Sequence, residues 1–182
     1  LLFMGFSSIM NSSQEPDAEL TAILKQTVRD ASSFIDKYEA EVWLVDMSRR
    51  LSKYRYMKDP KQRLEFLRLV HSEARRARID PELVLALIHV ESAFNRYALS
   101  VVGAQGLMQV MPFWKKEIGR PDDNLMHMAT NLRYGCTILK HYINREDGNL
   151  VRALARYNGS LGRTKYPEKV LVFWEKYWLV EG

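Results

Sequence analysis

With a single cysteine, Cys136, this chain can close no intramolecular disulfide, so core packing has to hold it together. Cys136 itself lies beside Ile138 and Leu139 on a helical face and reads as a small buried hydrophobe. No stretch of about 18 uncharged apolar residues occurs, so no segment reads as a membrane-spanning helix. Apolar and polar residues never alternate for long enough to give a convincing sheet, and no internal repeat or low-complexity tract is visible. Nine glycines and a hydrophobic content of 47% argue against disorder beyond the ends. The four histidines, His71, His89, His127 and His141, are scattered, with no pair at metal-ligand spacing. The segment Asn144-Arg145-Glu146-Asp147-Gly148-Asn149 lacks the alternating oxygen ligands of a calcium loop. Neither a metal nor a cofactor is expected.

The 182 residues are enough for one domain with a full core plus an extension. Apolar residues recur at spacings of three and four over 64–79, 81–94, 125–143, 150–157 and 167–179, which predicts helices there. The expected fold class is all-α, with at most a short hairpin near the turn after residue 100. Residues 17–57 contain no glycine or proline, and Leu20, Ile23, Leu24, Val28, Phe34 and Ile35 begin an approximate helical face. One or two long helices are expected in an N-terminal extension over 17–60, packed on a larger helical domain over 61–182, with Asp59-Pro60 at the join. A helical stalk or a partner-binding hairpin is the alternative for this extension. Residues 1–16 read as a disordered or processed tail. Their apolar start, Leu1-Leu2-Phe3-Met4, suggests the remainder of a secretion signal or an anchor.

Charge is distributed unevenly. Residues 1–48 hold 3 Lys or Arg against 8 Asp or Glu, whereas residues 49–78 hold 11 against 3. The run from Arg49 to Lys58 interleaves basic and aromatic side chains in the way a nucleic-acid contact can. A solvated face paired with the acidic N-terminal helix explains the same pattern, and attraction to an acidic polymer is a third reading. Nucleic acid is not the expected partner.

The chemistry concentrates around Glu91. Asp80-Pro81 is a helix N-cap followed by proline at the first helical position. Leu83, Val84, Leu87 and Ile88 then form one apolar face, and Glu91 is its next position. A carboxyl set among hydrocarbon loses hydration of its charged form, so its pKa rises toward the range of a general acid. Gly103 and Gly106 bracket a tight turn that leads into Leu107-Met108-Gln109. Further on stands Ala155-Arg156-Tyr157-Asn158-Gly159-Ser160. Taken singly these residues have plainer readings: Ser92 can back-bond to its own helix, Met108 can fill a core gap, and Asn158-Gly159 is a common turn pair.

Three blocks in order, Glu91-Ser92, Gly106-Leu107-Met108-Gln109 and Ala155 to Ser160, resemble the catalytic core of the soluble lytic transglycosylase family, which shares a lysozyme-like fold with goose-type lysozymes. The resemblance covers roughly residues 64–178, and departs from many relatives at Gly159-Ser160, where they carry alanine and glycine. It implies a lysozyme-like helical domain acting on peptidoglycan glycan strands, outside the cytoplasm in the periplasm or cell envelope. Glu91 would be the single acid and base, cleaving the bond between N-acetylmuramic acid and N-acetylglucosamine to leave a 1,6-anhydromuramyl end. Ser92, Gln109 and Asn158 would bind acetamido and hydroxyl groups, Tyr157 would bring a hydroxyl near the reacting centre, and Met108 would form an apolar wall of the sugar subsite. None of the three blocks supplies the second carboxylate that ordinary glycosidases use. A hydrolytic muramidase on the same scaffold would need one, and Glu117, Asp122 and Asp123 are nearest downstream. A catalytically weak cell-wall-binding protein is the third possibility.

Overall fold

Three aspartates start three long helices in the region over 36–180. Asp36, Asp59 and Asp80 each sit in extended backbone and accept a hydrogen bond from the amide two residues on, at Tyr38, Lys61 and Glu82. Pro60 and Pro81 then occupy the first helical position, where a missing N–H costs nothing. The computed structural model describes residues 36–180 continuously, together with Ala22, Lys25, Thr27, Ser32 and Ser33. The tail over 1–16 and most of the extension before residue 36 lie outside the described residues.

Among the described residues the helices are α1 (Lys37–Leu51), α2 (Pro60–Ala77), α3 (Pro81–Ser92), the short α4 (Trp114–Ile118), α5 (Met128–Arg145), α6 (Leu150–Tyr157) and α7 (Lys165–Phe173). A 3-10 turn covers Arg55–Met57, and a π turn, Trp174–Trp178, continues α7. No strand occurs among the described residues; isolated bridges pair Leu99 with Gln105 and Gln105 with Val110. The fold is all-α, and the hairpin allowed after residue 100 is reduced to these bridges. The periodic segments match α2, α3, α5, α6 and α7 within a few residues. The five-residue α4 escaped the reading because it buries none of its side chains. No helix among the described residues is long and apolar enough to cross a membrane.

Helix α3 is the centre of the molecule. Sequence spacing marked one apolar face, but every residue from Leu83 to Ile88 is buried. A helix apolar all round has to be covered all round, and α3 packs against α2, α7 and the π turn. Helix α5 packs on α2 and α6, α6 on α7, and α1 on α2. His89 lies within an aromatic group formed by Tyr54, Phe94, Phe173, Tyr177 and Trp178.

Part of the basic run is occupied within the molecule. Arg49 and Arg50 both pair with Asp46 on α1, at 3.1 and 2.7 Å, and Arg50 also donates to the Tyr177 carbonyl at 2.9 Å. Lys58 donates to the carbonyls of Ser52 and Lys53. Arg63 is buried and donates to the carbonyls of Met57 and Lys58, which closes the turn between α1 and α2.

Candidate active site

Glu91 is the penultimate residue of α3, and the chain leaves that helix abruptly. Ala93 and Phe94 both adopt left-handed backbone, with φ of 47° and 67°, and Phe94 drops fully into the core. Two such residues in succession are held only because packing overrides their preference. The turn leaves Glu91 at the edge of the core instead of in open water.

A cleft of about 430 Å³ opens beside it, lined by Val90, Glu91, Asn158, Ser160, Arg163, Lys165, Tyr166 and Lys169. Burial pushes the Glu91 carboxyl up to about 7, against the opposing effects of a hydrogen bond from the Tyr166 hydroxyl and the positive charge of Lys169. The partial negative charge at the end of α3 acts in the same direction as burial. Tyr166 and Tyr157 are half-buried beside the same carboxylate, and both phenols are pushed well above their ordinary range, first by loss of hydration and then by Glu91. Both therefore stay protonated and serve as hydrogen-bond donors.

The Gly106-to-Gln109 turn forms the neighbouring wall. Gly106 has a φ of 75°, and a Cβ there would lie 2.4 Å from Asn131 Nδ2 and 2.6 Å from the Leu125 carbonyl. Only glycine allows that approach. Asn131, buried on α5, clamps the turn by accepting from the Met108 amide at 2.8 Å and donating to the carbonyls of Gln105 and Leu125, both at 2.8 Å. Tyr157 ties α6 to the same turn by donating to the Met108 carbonyl at 2.7 Å.

The residues singled out from the sequence divide into two groups. Glu91 and Asn158 line the cleft, and Tyr157 stands behind it. Ser92 donates to the Ile88 carbonyl of its own helix at 3.2 Å. Gln109, in left-handed backbone at φ 48°, donates to the carbonyls of Gly106 and Ala98 and so braces the turn. Met108 corrects the expectation of an apolar sugar wall. Its side chain is fully buried against Gly135 of α5, where any Cβ would fall 2.2 Å from its sulfur, and only its backbone serves the turn. Glu117, Asp122 and Asp123 are not among the lining residues. Asp123 is engaged by the Tyr134 hydroxyl and the Arg120 amide, which hold its carboxyl below the usual range. Glu91 is thus the one carboxylate among the described residues lining the cleft. Among the described residues no group of three His, Cys, Asp or Glu is placed to hold a metal.

Sequence reasoning missed Tyr166, Asn131 and the cations Arg163, Lys165 and Lys169. Tyr166 stands 75 positions from Glu91, and nothing local marks it. Asn131 carries a weak signal, as an amide on the apolar face of a predicted helix, which has to find partners when buried.

Comparison with known proteins gives the family and the fold. The family model described as the transglycosylase SLT domain matches residues 68–170. The membrane-bound lytic murein transglycosylase C of Actinobacillus pleuropneumoniae serotype 5b (strain L20) is 52% identical over 48 residues, which cover 26% of this chain and 13% of that protein. The transglycosylase of Enterobacteria phage PRD1 is 35% identical over 100 residues, covering 51% of this chain and 37% of that protein. The chain thus spans well under half the length of these relatives. Among solved structures, an inactive mutant of the lytic transglycosylase Slt from Pseudomonas aeruginosa superposes with a TM-score of 0.55 at 20% identity, covering 86% of this chain and 36% of that one. That likeness concerns the lysozyme-like helical fold. With the matched region running from α2 into α7 and enclosing Glu91, its turn and its cleft, the chain belongs to the transglycosylase SLT domain family.

Proposed function

We propose that this protein is a peptidoglycan lytic transglycosylase in which Glu91 acts alone, first as general acid and then as general base. The observation that carries the reading is a single lining carboxylate, held up to about 7 by burial, in a cleft whose other lining groups include no second acid. A protonated Glu91 gives its proton to the bridging glycosidic oxygen as the bond to the muramyl C1 breaks. With no partner carboxylate to meet the charge at C1, the oxygen of the muramyl acetamido group closes on it. The Glu91 carboxylate then takes the proton of the muramyl 6-hydroxyl while O6 bonds to C1 and the acetamido oxygen departs. The acid is regenerated and no water is consumed. Tyr166 positions the carboxylate, and Asn158 lies where it can hold a sugar hydroxyl or acetamido group. Ser92 and Gln109 support the site through the backbone they brace, and Tyr157 fixes the turn. A substrate of this kind places the enzyme at the cell envelope.

The test is mass analysis of the soluble products after incubating the protein, and its Glu91→Gln variant, with purified peptidoglycan. Products ending in 1,6-anhydromuramic acid from the parent alone are expected. Reducing ends would identify a hydrolase instead, and no product from the parent would identify a binding protein.

A further inference from the structure

The cleft beside Glu91 is strongly basic. Arg163 comes from the loop after α6, Lys165 opens α7, and Lys169 lies one turn further along the same face. All three are exposed. Six arginines elsewhere are neutralised in pairs, two to one carboxylate. Arg49 and Arg50 share Asp46, Arg76 and Arg133 share Glu73, and Arg152 and Arg156 share Glu146. Among the described residues no ion pair involves Arg163, Lys165 or Lys169, although Glu168 stands between the two lysines in sequence. Lys165 also sits in the first turn of α7, where the helix dipole disfavours a cation. The hydroxyl of Ser160, between Asn158 and Arg163 in this wall, is buried with no hydrogen-bond partner. A concave wall with unneutralised cations and an unsatisfied hydroxyl is complementary to an anion with acceptor oxygens.

Given the function proposed above, the chemistry of the substrate narrows that anion. The sugar rings are uncharged, with hydroxyl and acetamido groups. The anionic groups are the carboxylates of the peptide attached through the lactyl arm of each muramyl residue. We propose that Arg163, Lys165 and Lys169 form a carboxylate-binding rim through which the enzyme selects muramyl residues carrying an acidic peptide. Of the three cations only Lys169 acts on the Glu91 carboxyl, and the rim as a whole governs which strand is held. Exposed ion pairs are individually weak, and three of them together discriminate about fivefold at low salt. Screening removes that preference as the salt rises.

The experiment uses sedimentation with insoluble peptidoglycan in the Glu91→Gln background, comparing native material with material whose peptide carboxylates have been converted to amides. The expected result is a native-over-amidated binding ratio of about five at low salt, falling toward one at roughly 0.5 M salt. In the double variant Arg163→Gln, Lys165→Gln the ratio falls toward one already at low salt. The charge-conserving pair Arg163→Lys, Lys165→Arg keeps the ratio, which separates charge from a folding defect. A ratio of one in the parent background, or an undiminished ratio in the neutral double variant, overturns the rim. Product analysis of the parent enzyme distinguishes the two proposals. Anhydromuramyl ends with a ratio of one remove the rim and leave the transglycosylase, whereas a ratio of five with no product removes the enzyme and leaves a carboxylate-reading binder.

Discussion

At the scale of the residue, Glu91 is held in a state that suits its chemistry and costs stability. Its folded pKa of about 7 lies above the ordinary 4.5, so the folded protein binds more protons than the unfolded chain between those values. Stability from this group is complete below pH 4.5 and is lost as the pH rises to about 7. Glu91→Gln removes the charge while keeping an acceptor for the Tyr166 hydroxyl. We expect it to unfold at higher temperature at pH 8, with a gain of about 1 to 3 kcal/mol in chemical denaturation, while turnover falls at least about 100-fold. Tyr166 acts in the opposite sense on the same carboxyl, since its hydrogen bond favours the charged form. In Tyr166→Phe the alkaline limb of the kcat/KM profile, where the acid loses its proton, is expected to move upward by about half a unit to one unit. A limb that stays in place or moves down would show that the hydroxyl does not act on Glu91.

At the scale of the element, the site draws on four helices and one turn. Helix α3 brings Glu91 and α7 brings Tyr166, while Asn131 of α5 and Tyr157 of α6 hold the Gly106-to-Gln109 turn through the Met108 amide and carbonyl. Asn131→Ala leaves the Met108 amide and the Leu125 carbonyl without their partner, while the Gln105 carbonyl keeps the Val110 amide. A loss of about 2 to 4 kcal/mol in chemical denaturation is expected, with a larger loss of turnover than of binding to peptidoglycan. Gly106→Ala is expected to be at least as damaging, because it combines a left-handed φ with contacts that nothing nearby can relieve. Gly135→Ala drives a methyl into Met108 and costs about 1 to 3 kcal/mol. Thermal unfolding of Asn131→Ala and Gly106→Ala that matches the parent would show that the turn does not support the fold.

At the scale of the whole molecule, buried acids and buried histidines oppose each other. Burial raises Glu82, with the charge of Asp80 adding to it, as well as Glu91, each to about 7. Burial lowers His71 and His89 to about 4. The acids lose stability as pH rises from 4.5 to 7, and the histidines lose it as pH falls from 6.5 to 4. Between about 4.5 and 6.5 the two slopes cancel, so a flat melting temperature is expected. Below that window Glu73 adds a loss. Burial alone would raise it, but hydrogen bonds from Arg133 and Arg76 outweigh burial and hold it low. Glu146, held low by Arg156 and Arg152, adds another, so acid unfolding is expected to be steep. In the double variant Glu82→Gln, Glu91→Gln the histidine slope is uncovered, and the melting temperature should rise with pH across the same window. A flat profile in that variant would mean that the histidines do not oppose the acids.

What the sequence determined by itself is local. The Asp-Pro caps, the apolar periodicity of five helices and the Glu91-bearing end of α3 rest on neighbours a few residues apart, so spacing alone carries them. The glycine at position 106 announced a tight turn for the same reason. Tertiary structure decided everything that depends on distant partners. It enclosed α3 on all sides, turned Met108 inward onto Gly135, spent Ser92 and Gln109 on backbone carbonyls, and brought Tyr166 to Glu91. It also separated cations that resemble one another in sequence, tying Arg49 and Arg50 to Asp46 while leaving Arg163, Lys165 and Lys169 facing the cleft. Charge and polarity can be read from a chain, but whether a group is neutralised or buried depends on which surfaces fold against it.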